Sequence, residues 1–442
     1  MELHRTFSSI LSKADPERVA FVFQGENGEK TQKTYGEVLA DIAAFSVPGE
    51  SSCGVFCDGS YESIIAVFAL AKAHKRFALL SPELPPQLLQ AQIQAARVAA
   101  LVGKNPIRGA PLFLVKDDPG AMPGILFFTS GTTESSKAVV LSESSLCAAA
   151  YNGGSVLTLH PDDRLLCCLP LSHVFGFVCS LLWPLQSEAS VLLSRGVRHL
   201  FEDFAYFAPT AVSLVPQMAM FFHAKKLWNP ELKLVLVGAG PLSGEIIASM
   251  QQDGLRVSYG YGLTETSSGV ALSLGDDPSR MSICPLDEVK IAEDGEILIK
   301  SELTMMQGYF LDPGKTASVL KDGYLHTGDL GEKEGDILIL KGRKKDTLVL
   351  NDGTKIYLPE YEAELSRLFP GRDFAVYLDQ EERLTLAFGK CAPRNEDQAL
   401  VDRFNETLSR SHRIQRIAYS PNALPRTQTG KLQRYRLKEM NL

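Results

Sequence analysis

The chain has no excess of positive charge: 45 Lys and Arg stand against 52 Asp and Glu, a formal net charge of -7. That sign gives no general attraction to nucleic acid or to acidic membranes, so nucleic acid is not an expected partner. Paired metal-ligand spacing among the cysteines is also missing. Cys53, Cys57, Cys147, Cys167, Cys168, Cys179, Cys284 and Cys391 lie mostly in apolar surroundings and read as reduced, buried thiols. The opening MELHRTFSSILSKADPERVAF carries acidic residues and Pro16 and lacks the apolar centre of a signal peptide, which makes a cytoplasmic location the default expectation. One stretch, residues 165–185 (LLCCLPLSHVFGFVCSLLWPL), approaches the about 20 apolar residues that cross a bilayer. Pro170, Ser172, His173, Gly176 and Pro184 interrupt it, so a buried strand, turn and helix are expected rather than a membrane span. No internal repeat or low-complexity tract is present.

What is present suits more than one core. The chain has 442 residues, 45% hydrophobic and 22% charged, and single cores stop growing beyond roughly 250 to 300 residues. Short apolar runs at 52–57, 99–102, 124–128, 212–215 and 232–237 alternate with helix-like stretches at 61–74, 85–96, 142–157 and 243–253. Such alternation is the pattern of an α/β fold with largely parallel sheets, and Ser142 and Ser243 suit N-caps. Beyond about residue 286 the texture changes to short runs broken by Asp294-Gly295 and Asp322-Gly323, which favour tight turns. After GRKKD at 342–346 a mixed pattern returns, with helices expected at 359–368 and 396–411. The expected architecture is α/β: a large N-terminal domain of α/β layers with a β-rich closing subdomain (1–342), a hinge (343–346) and a small mobile α+β C-terminal domain (347–442).

Residues 125–146, ILFFTSGTTESSKAVVLSESSL, join an apolar run to a loop of hydroxyls and glycine and then to Lys137. Small residues let backbone N–H groups approach phosphate oxygens, hydroxyls donate hydrogen bonds, and a lysine neutralises charge. A Walker A loop, G-x-x-x-x-G-K-S/T, is excluded, because Ser136 precedes the lysine and Ala138 follows it. Further along stand LPLSHVFG at 169–176, LVGAGPLSGE at 236–245, YGYGLTET at 259–266, YLHTGDL at 324–330, GRKKD, NDGTKIYLPEYEAEL at 351–365 and LPRTQTGKLQR at 424–434. Taken singly, each is compatible with an ordinary turn or core segment.

In this order they resemble the acyl-adenylate-forming superfamily: acyl- and aryl-CoA ligases, peptide-synthetase adenylation domains and firefly luciferase. The loop is similar to the family's T-S-G-T-T-G-x-P-K at Thr129, Ser130, Gly131, Thr132, Thr133 and Lys137, with Glu134 in place of its glycine and Ser136 in place of its proline. Glu134 is expected to point to solvent, since a carboxylate within ~4 Å of phosphate costs on the order of 1 to 4 kcal/mol. The resemblance implies an adenine-facing turn at Ala239, Gly240 and Pro241. It also implies adenine stacking by Tyr261 beside Gly262, an α-phosphate contact from Thr264, and Mg²⁺ on Glu265 with Thr132. Asp329 and Arg343 would contact ribose, Lys345 would be the hinge pivot, and Lys431 would be the catalytic lysine of adenylation. The loop after the hinge departs from the family pattern, because Pro359 stands one place late.

The activity so implied is ATP-dependent: a small-molecule carboxylic acid attacks the α-phosphate, and the acyl-AMP then passes to a thiol. CoA or the phosphopantetheine of an acyl carrier protein remain open as acceptors. Amino-acid-activating relatives carry an aspartate just after the histidine segment; VFGFVCSLLW has none. A fatty or aromatic acid is therefore expected, in a pocket formed by His173, Phe175, Phe177, Val237 and Gly238, with His173 also beside the reacting carboxylate. A nucleotide-binding pseudoenzyme and a luciferase-like oxidase are the two readings from other classes.

Overall fold

The structure is a computed structural model of residues 1–442. It describes all of them except 1, 26, 104–111, 119, 121, 130–136, 241, 275–276, 351–354, 427–431, 433 and 441–442, and the side chains of 197, 345, 355, 360 and 435. Compactness divides the chain into two units. One comprises residues 1–292, 298–327 and 332–340, and the other 293–297, 328–331 and 341–442.

The first unit is α/β, as its alternating pattern predicts. Strands Ser52–Phe56, Ala100–Val102, Gly124–Phe128, Ala211–Leu214 and Leu234–Gly238 fall on the expected runs, and helices Tyr61–Lys72, Pro86–Ala95, Glu143–Val156 and Gly244–Gln252 on the expected helical stretches. Ser142 caps helix Glu143–Val156 through a side-chain bond from Ser145 N, whereas Ser243 occupies the N-cap position without such a bond. Two sheets result. One runs in the order 308–309, 138–141, 124–128, 76–80, 52–56, 100–102. The other contains the parallel set Arg164–Cys167, Ala211–Leu214, Leu234–Gly238 and Arg256–Leu263, extended by antiparallel Ser268–Leu272. In Gly124–Phe128 and Leu234–Gly238 both faces are buried, which is why these read as continuous apolar runs rather than as alternation.

Residues 165–185 form a buried strand end, a turn, and one helical run from Val174 to Gln186 whose middle, Phe177–Leu182, is a widened π turn. No helix among the described residues is long and apolar enough to cross a membrane. Past residue 286 the chain is β-rich as expected. Asp322 and Gly323 both adopt positive φ (52° and 79°), the type I′ geometry that matches strand twist, and close the hairpin between Leu320–Lys321 and Tyr324 onward.

In the second unit, strands Asp373–Leu378, Leu384–Gly389 and Arg416–Tyr419 form one sheet packed with helices Leu358–Leu368 and Asp397–Glu406. Pro359 lies in the first turn of its helix, where no N–H is needed. The helix expected at 396–411 ends earlier, and residues 410–412 make a separate turn.

Candidate active site

The phosphate-loop motif sits at the tip of a hairpin. Strand Gly124–Phe128 pairs antiparallel with Ala138–Leu141, and Thr129 N donates to Lys137 O at 3.0 Å, which carries the pairing to the two ends of the motif. Ser130, Gly131, Thr132, Thr133, Glu134 and Ser136 lie outside the described residues, so their expected roles stay with the sequence. Lys137 is half-buried, and its Nζ lies 5.2 Å from the centre of the Tyr309 ring. That ring arrives because Gly308–Tyr309 pairs with the outer strand of the hairpin, Tyr309 opposite Val139.

Glu265 stands in the single turn Thr264–Thr266 between strands Arg256–Leu263 and Ser268–Leu272. Thr266, wholly buried, clasps the turn: its hydroxyl accepts from Leu263 N and lies 3.0 Å from the carbonyls of Leu263 and Ser268. Gly262 is required here. A Cβ at that position would meet Ser268 O at 1.8 Å, and Ser267 and Ser268 already hold positive φ of 52° and 118°. The turn is fastened twice to the segment that carries Tyr309. Met306 N donates to Glu265 O at 2.8 Å, and Tyr309 Oη donates to Glu265 Oε1 at 2.6 Å. Burial raises the Tyr309 phenol well above its ordinary pKa, and the Glu265 charge adds to this, so the phenol remains a donor. Lys137, Tyr309 and Glu265 thus form one assembly. Tyr309 was absent from the residues singled out in the sequence.

Glu265 fits a magnesium ligand in its chemistry. It is a half-buried carboxylate whose Oε2 makes no hydrogen bond to a described residue, and no cluster of three His, Cys, Asp or Glu occurs among the described residues. A single carboxylate suits an ion that keeps waters and phosphate oxygens for its remaining positions. Replacing Tyr309 by Phe removes one charge-assisted hydrogen bond. It is expected to raise the magnesium concentration for half-maximal adenylation ~10-fold, measured by pyrophosphate release against Mg²⁺ at fixed ATP.

Among the residues expected at the acid, the ring of Phe175 lies on Gly238: a Cβ there would stand 2.9 Å from Phe175 Cζ. His173 precedes the helical run, exposed yet crowded by protein, and desolvation lowers its pKa from the ordinary 6.5, so it is a neutral imidazole at pH 7. Phe177 is a correction to the expected pocket. Residues two apart on a helix face opposite ways, and Phe177 turns into the core against Phe7 and Phe127, with ring centres at 5.8 and 5.6 Å. Val237 is fully buried in its strand. After Gly238, Ala239 takes a left-handed φ of 64°, and Gly240 O accepts a 2.7 Å hydrogen bond from Tyr259 Oη; Pro241 lies outside the described residues. Tyr261 is enclosed within its strand, at 7% exposure.

In the second unit the two residues expected at ribose meet directly: Arg343 Nε stands 2.8 Å from Asp329 Oδ1, the arginine largely exposed and the aspartate buried. Lys344 Nζ is held by Asp294 at 2.6 Å and Glu296 at 2.8 Å. Gly342, at φ 138°, is overlaid by Tyr357; a Cβ would fall 1.8 Å from the ring. Lys345 sits in the turn Lys344–Asp346, its side chain outside the described residues. Lys431 also lies outside them; in the chain on either side of it Arg426 and Leu432 form an antiparallel bridge, and Arg426 Nη2 pairs with Asp373 at 2.6 Å.

The segment leading to Tyr309 is anchored by a buried carboxylate, Asp287. Its Oδ2 accepts from Asn152 Nδ2 at 2.6 Å and its Oδ1 from Thr304 Oγ1 at 2.8 Å, tying helix Glu143–Val156 to residues 301–309. Burial pushes the carboxyl up from 3.8 to about 7, against the opposing hydrogen bonds from Thr304, Asn152 and Ser301. Between those values the native state holds more protons than the unfolded chain. The group's contribution is therefore full below the unfolded pKa and lost as pH rises through the folded one. On moving from pH 8 to pH 6 it adds about 1.4 kcal/mol to unfolding stability. Urea unfolding at the two pH values should show this increment in the wild type and lose it in Asp287→Asn; an undiminished increment in the variant would assign it elsewhere.

Residues 114–310 match the family model described as AMP-binding enzyme. The 2-succinylbenzoate–CoA ligase of Listeria monocytogenes is 24% identical over 97% of this chain and 97% of its own. The indoleacetate–CoA ligase of Aromatoleum aromaticum is 28% identical over 71% of this chain and 66% of its own. The solved O-succinylbenzoate coenzyme A synthetase of Bacillus subtilis in complex with AMP has a TM-score of 0.78 at 22% identity, covering 98% of each chain, which establishes the shared fold. The ordered motifs, the hairpin with its lysine beside the Glu265 turn, and these matches point the same way: residues 114–310 carry the AMP-binding enzyme pattern, and along nearly its whole length the chain is similar to CoA ligases of that kind.

Proposed function

We propose that this AMP-forming acid–thiol ligase activates an apolar carboxylic acid, aromatic or fatty, and delivers it to the thiol of CoA. The assembly of Lys137, Tyr309 and Glu265 at the phosphate-loop hairpin carries the reading, because it sets a cation and a metal-ligating carboxylate on the two ends of one tyrosine. Relatives whose names specify 2-succinylbenzoate and indoleacetate, both aromatic acids, and CoA support the substrate class and the acceptor.

A free carboxylate cannot form a thioester until one of its oxygens becomes part of a good leaving group. The acid therefore attacks the α-phosphate of ATP in line and pyrophosphate departs. Lys137 and the loop hydroxyls hold the β- and γ-phosphates, Lys431 bridges carboxylate and α-phosphate, and Asp329 with Arg343 takes the ribose. Glu265 with Thr132 would hold Mg²⁺, which would offset phosphate charge there. Positioning and electrostatics supply most of the acceleration, since little covalent work falls to the protein. In the second step the thiol attacks the acyl carbonyl and AMP leaves, after a rotation about Lys345 that withdraws Lys431. Tyr357, lying across Gly342, ties the hinge strand to the hairpin strand that follows it.

Hydroxamate-trapped pyrophosphate release over a panel of aryl, fatty and amino acids tests the reading. Release with apolar acids is expected, followed by thioester formation with CoA in preference to a phosphopantetheinylated carrier protein. Absence of turnover with every acid would leave a nucleotide-binding pseudoenzyme, and oxygen consumption or light from the adenylate would point to the oxidase reading.

A further inference from the structure

Helix Glu143–Val156 contains Gly153 and Gly154 in its last turns, at ordinary helical φ. Glycine in a helix costs about 1 kcal/mol relative to alanine, so the backbone has no use for it there. Space is what it leaves. A Cβ on Gly153 would meet only Leu272 Cδ1, at 3.9 Å, and on Gly269, in the strand opposite, it would meet nothing within 4 Å.

Both glycines line an apolar cavity of about 30 Å³, together with Ala149, Cys179, Trp183 and Leu272. That is room for about two carbon-sized groups. Its position relates it to the acid site. Cys179 lies one helical turn beyond Phe175, and its Sγ is 3.6 Å from Ser268 Oγ, three residues past Glu265. Phe175 packs with Cys179 against the apolar cluster that contains Trp183, Leu236 and Leu272. No lining residue carries a charge at pH 7, since burial pushes the Cys179 thiol up to about 11. The buried Nε1–H of Trp183 has no acceptor among the described residues.

We propose that this cavity is the blind end of the acyl pocket and selects monocarboxylic acids whose far end is an uncharged, slim hydrocarbon group. The proposal rests on the carboxylate-activating reading above. A dicarboxylate such as 2-succinylbenzoate would bring a second anion toward a wall without a cation, and an unpaired buried charge is strongly disfavoured. The expectation for this chain therefore departs from the substrate in the names of several relatives.

The test compares kcat/KM for pyrophosphate release with propionate, hexanoate, phenylacetate and 2-succinylbenzoate in the full-length wild type, Gly153→Ala and Gly269→Val. Gly153→Ala adds one methyl to the void and should raise or maintain the thermal midpoint, so a loss of fold does not explain its effect. The hexanoate-to-propionate ratio should fall at least ~10-fold in each variant, the range expected for one methylene-sized group in an apolar pocket, and 2-succinylbenzoate should be the poorest substrate of the wild type. Unchanged ratios in both variants, or preferred use of 2-succinylbenzoate, overturn the cavity's role while leaving the ligase intact. Failure of every acid in the wild type instead overturns the ligase reading, and the pocket assignment with it.

Discussion

Glu265→Gln is expected to slow adenylation by ~100- to 1000-fold, the loss typical of removing one charged contact at a phosphoryl centre. The substitution separates charge from shape. The glutamine carbonyl still accepts from Tyr309 Oη, and the turn is held by main-chain and Thr266 bonds that the side chain does not make. What disappears is the anionic oxygen suited to a hard cation. The variant should keep the wild-type thermal midpoint, and ATP–pyrophosphate exchange should stay slow at saturating ATP while responding to added Mg²⁺. Exchange within a few-fold of wild type at all magnesium concentrations would remove Glu265 from the reaction. Tyr309→Phe, by contrast, leaves the carboxylate charged and is expected to be an order of magnitude milder.

The layered fold was legible because doubly buried strands are short apolar runs and the helices between them carry capped starts; Ser142 is one such start, and the structure uses it as expected. The I′ turn at Asp322-Gly323 was equally visible, since both residues tolerate positive φ. Tyr309 was not. It lies 44 residues beyond Glu265 and reaches it only because two residues of chain pair with the edge of the phosphate-loop hairpin, a long-range contact that no local pattern encodes. Phe177 misled for the opposite reason. An aromatic beside another aromatic in an apolar run reads as the same wall, but the run is helical at that point and sends the two rings to different faces. Asp287 was hidden in PLDEVKI, where nothing distinguishes a buried acid from a surface one until Asn152 and Thr304 are brought to it.

Lys431→Ala should divide the reaction in two. Bringing a carboxylate to within ~4 Å of the α-phosphate opposes like charges by about 4 kcal/mol at an effective dielectric near 20, a barrier worth roughly three orders of magnitude. A lysine between them offsets that cost, so its loss is expected to lower pyrophosphate release ~100- to 1000-fold. Thioester formation starts from a neutral acyl carbonyl and a departing AMP, with no second anion to approach the phosphate. When the acyl-adenylate is supplied preformed, transfer to CoA should therefore proceed within a few-fold of wild type. The thermal midpoint of the variant is expected to match the wild type, since the Arg426–Leu432 bridge and the Arg426–Asp373 pair involve other residues. The two half-reactions are read separately, as pyrophosphate release with ATP and acid, and as CoA thioester from the adenylate. Equal losses in both would assign Lys431 to the structure of its unit rather than to the first step, and full adenylation in the variant would take it out of the mechanism altogether.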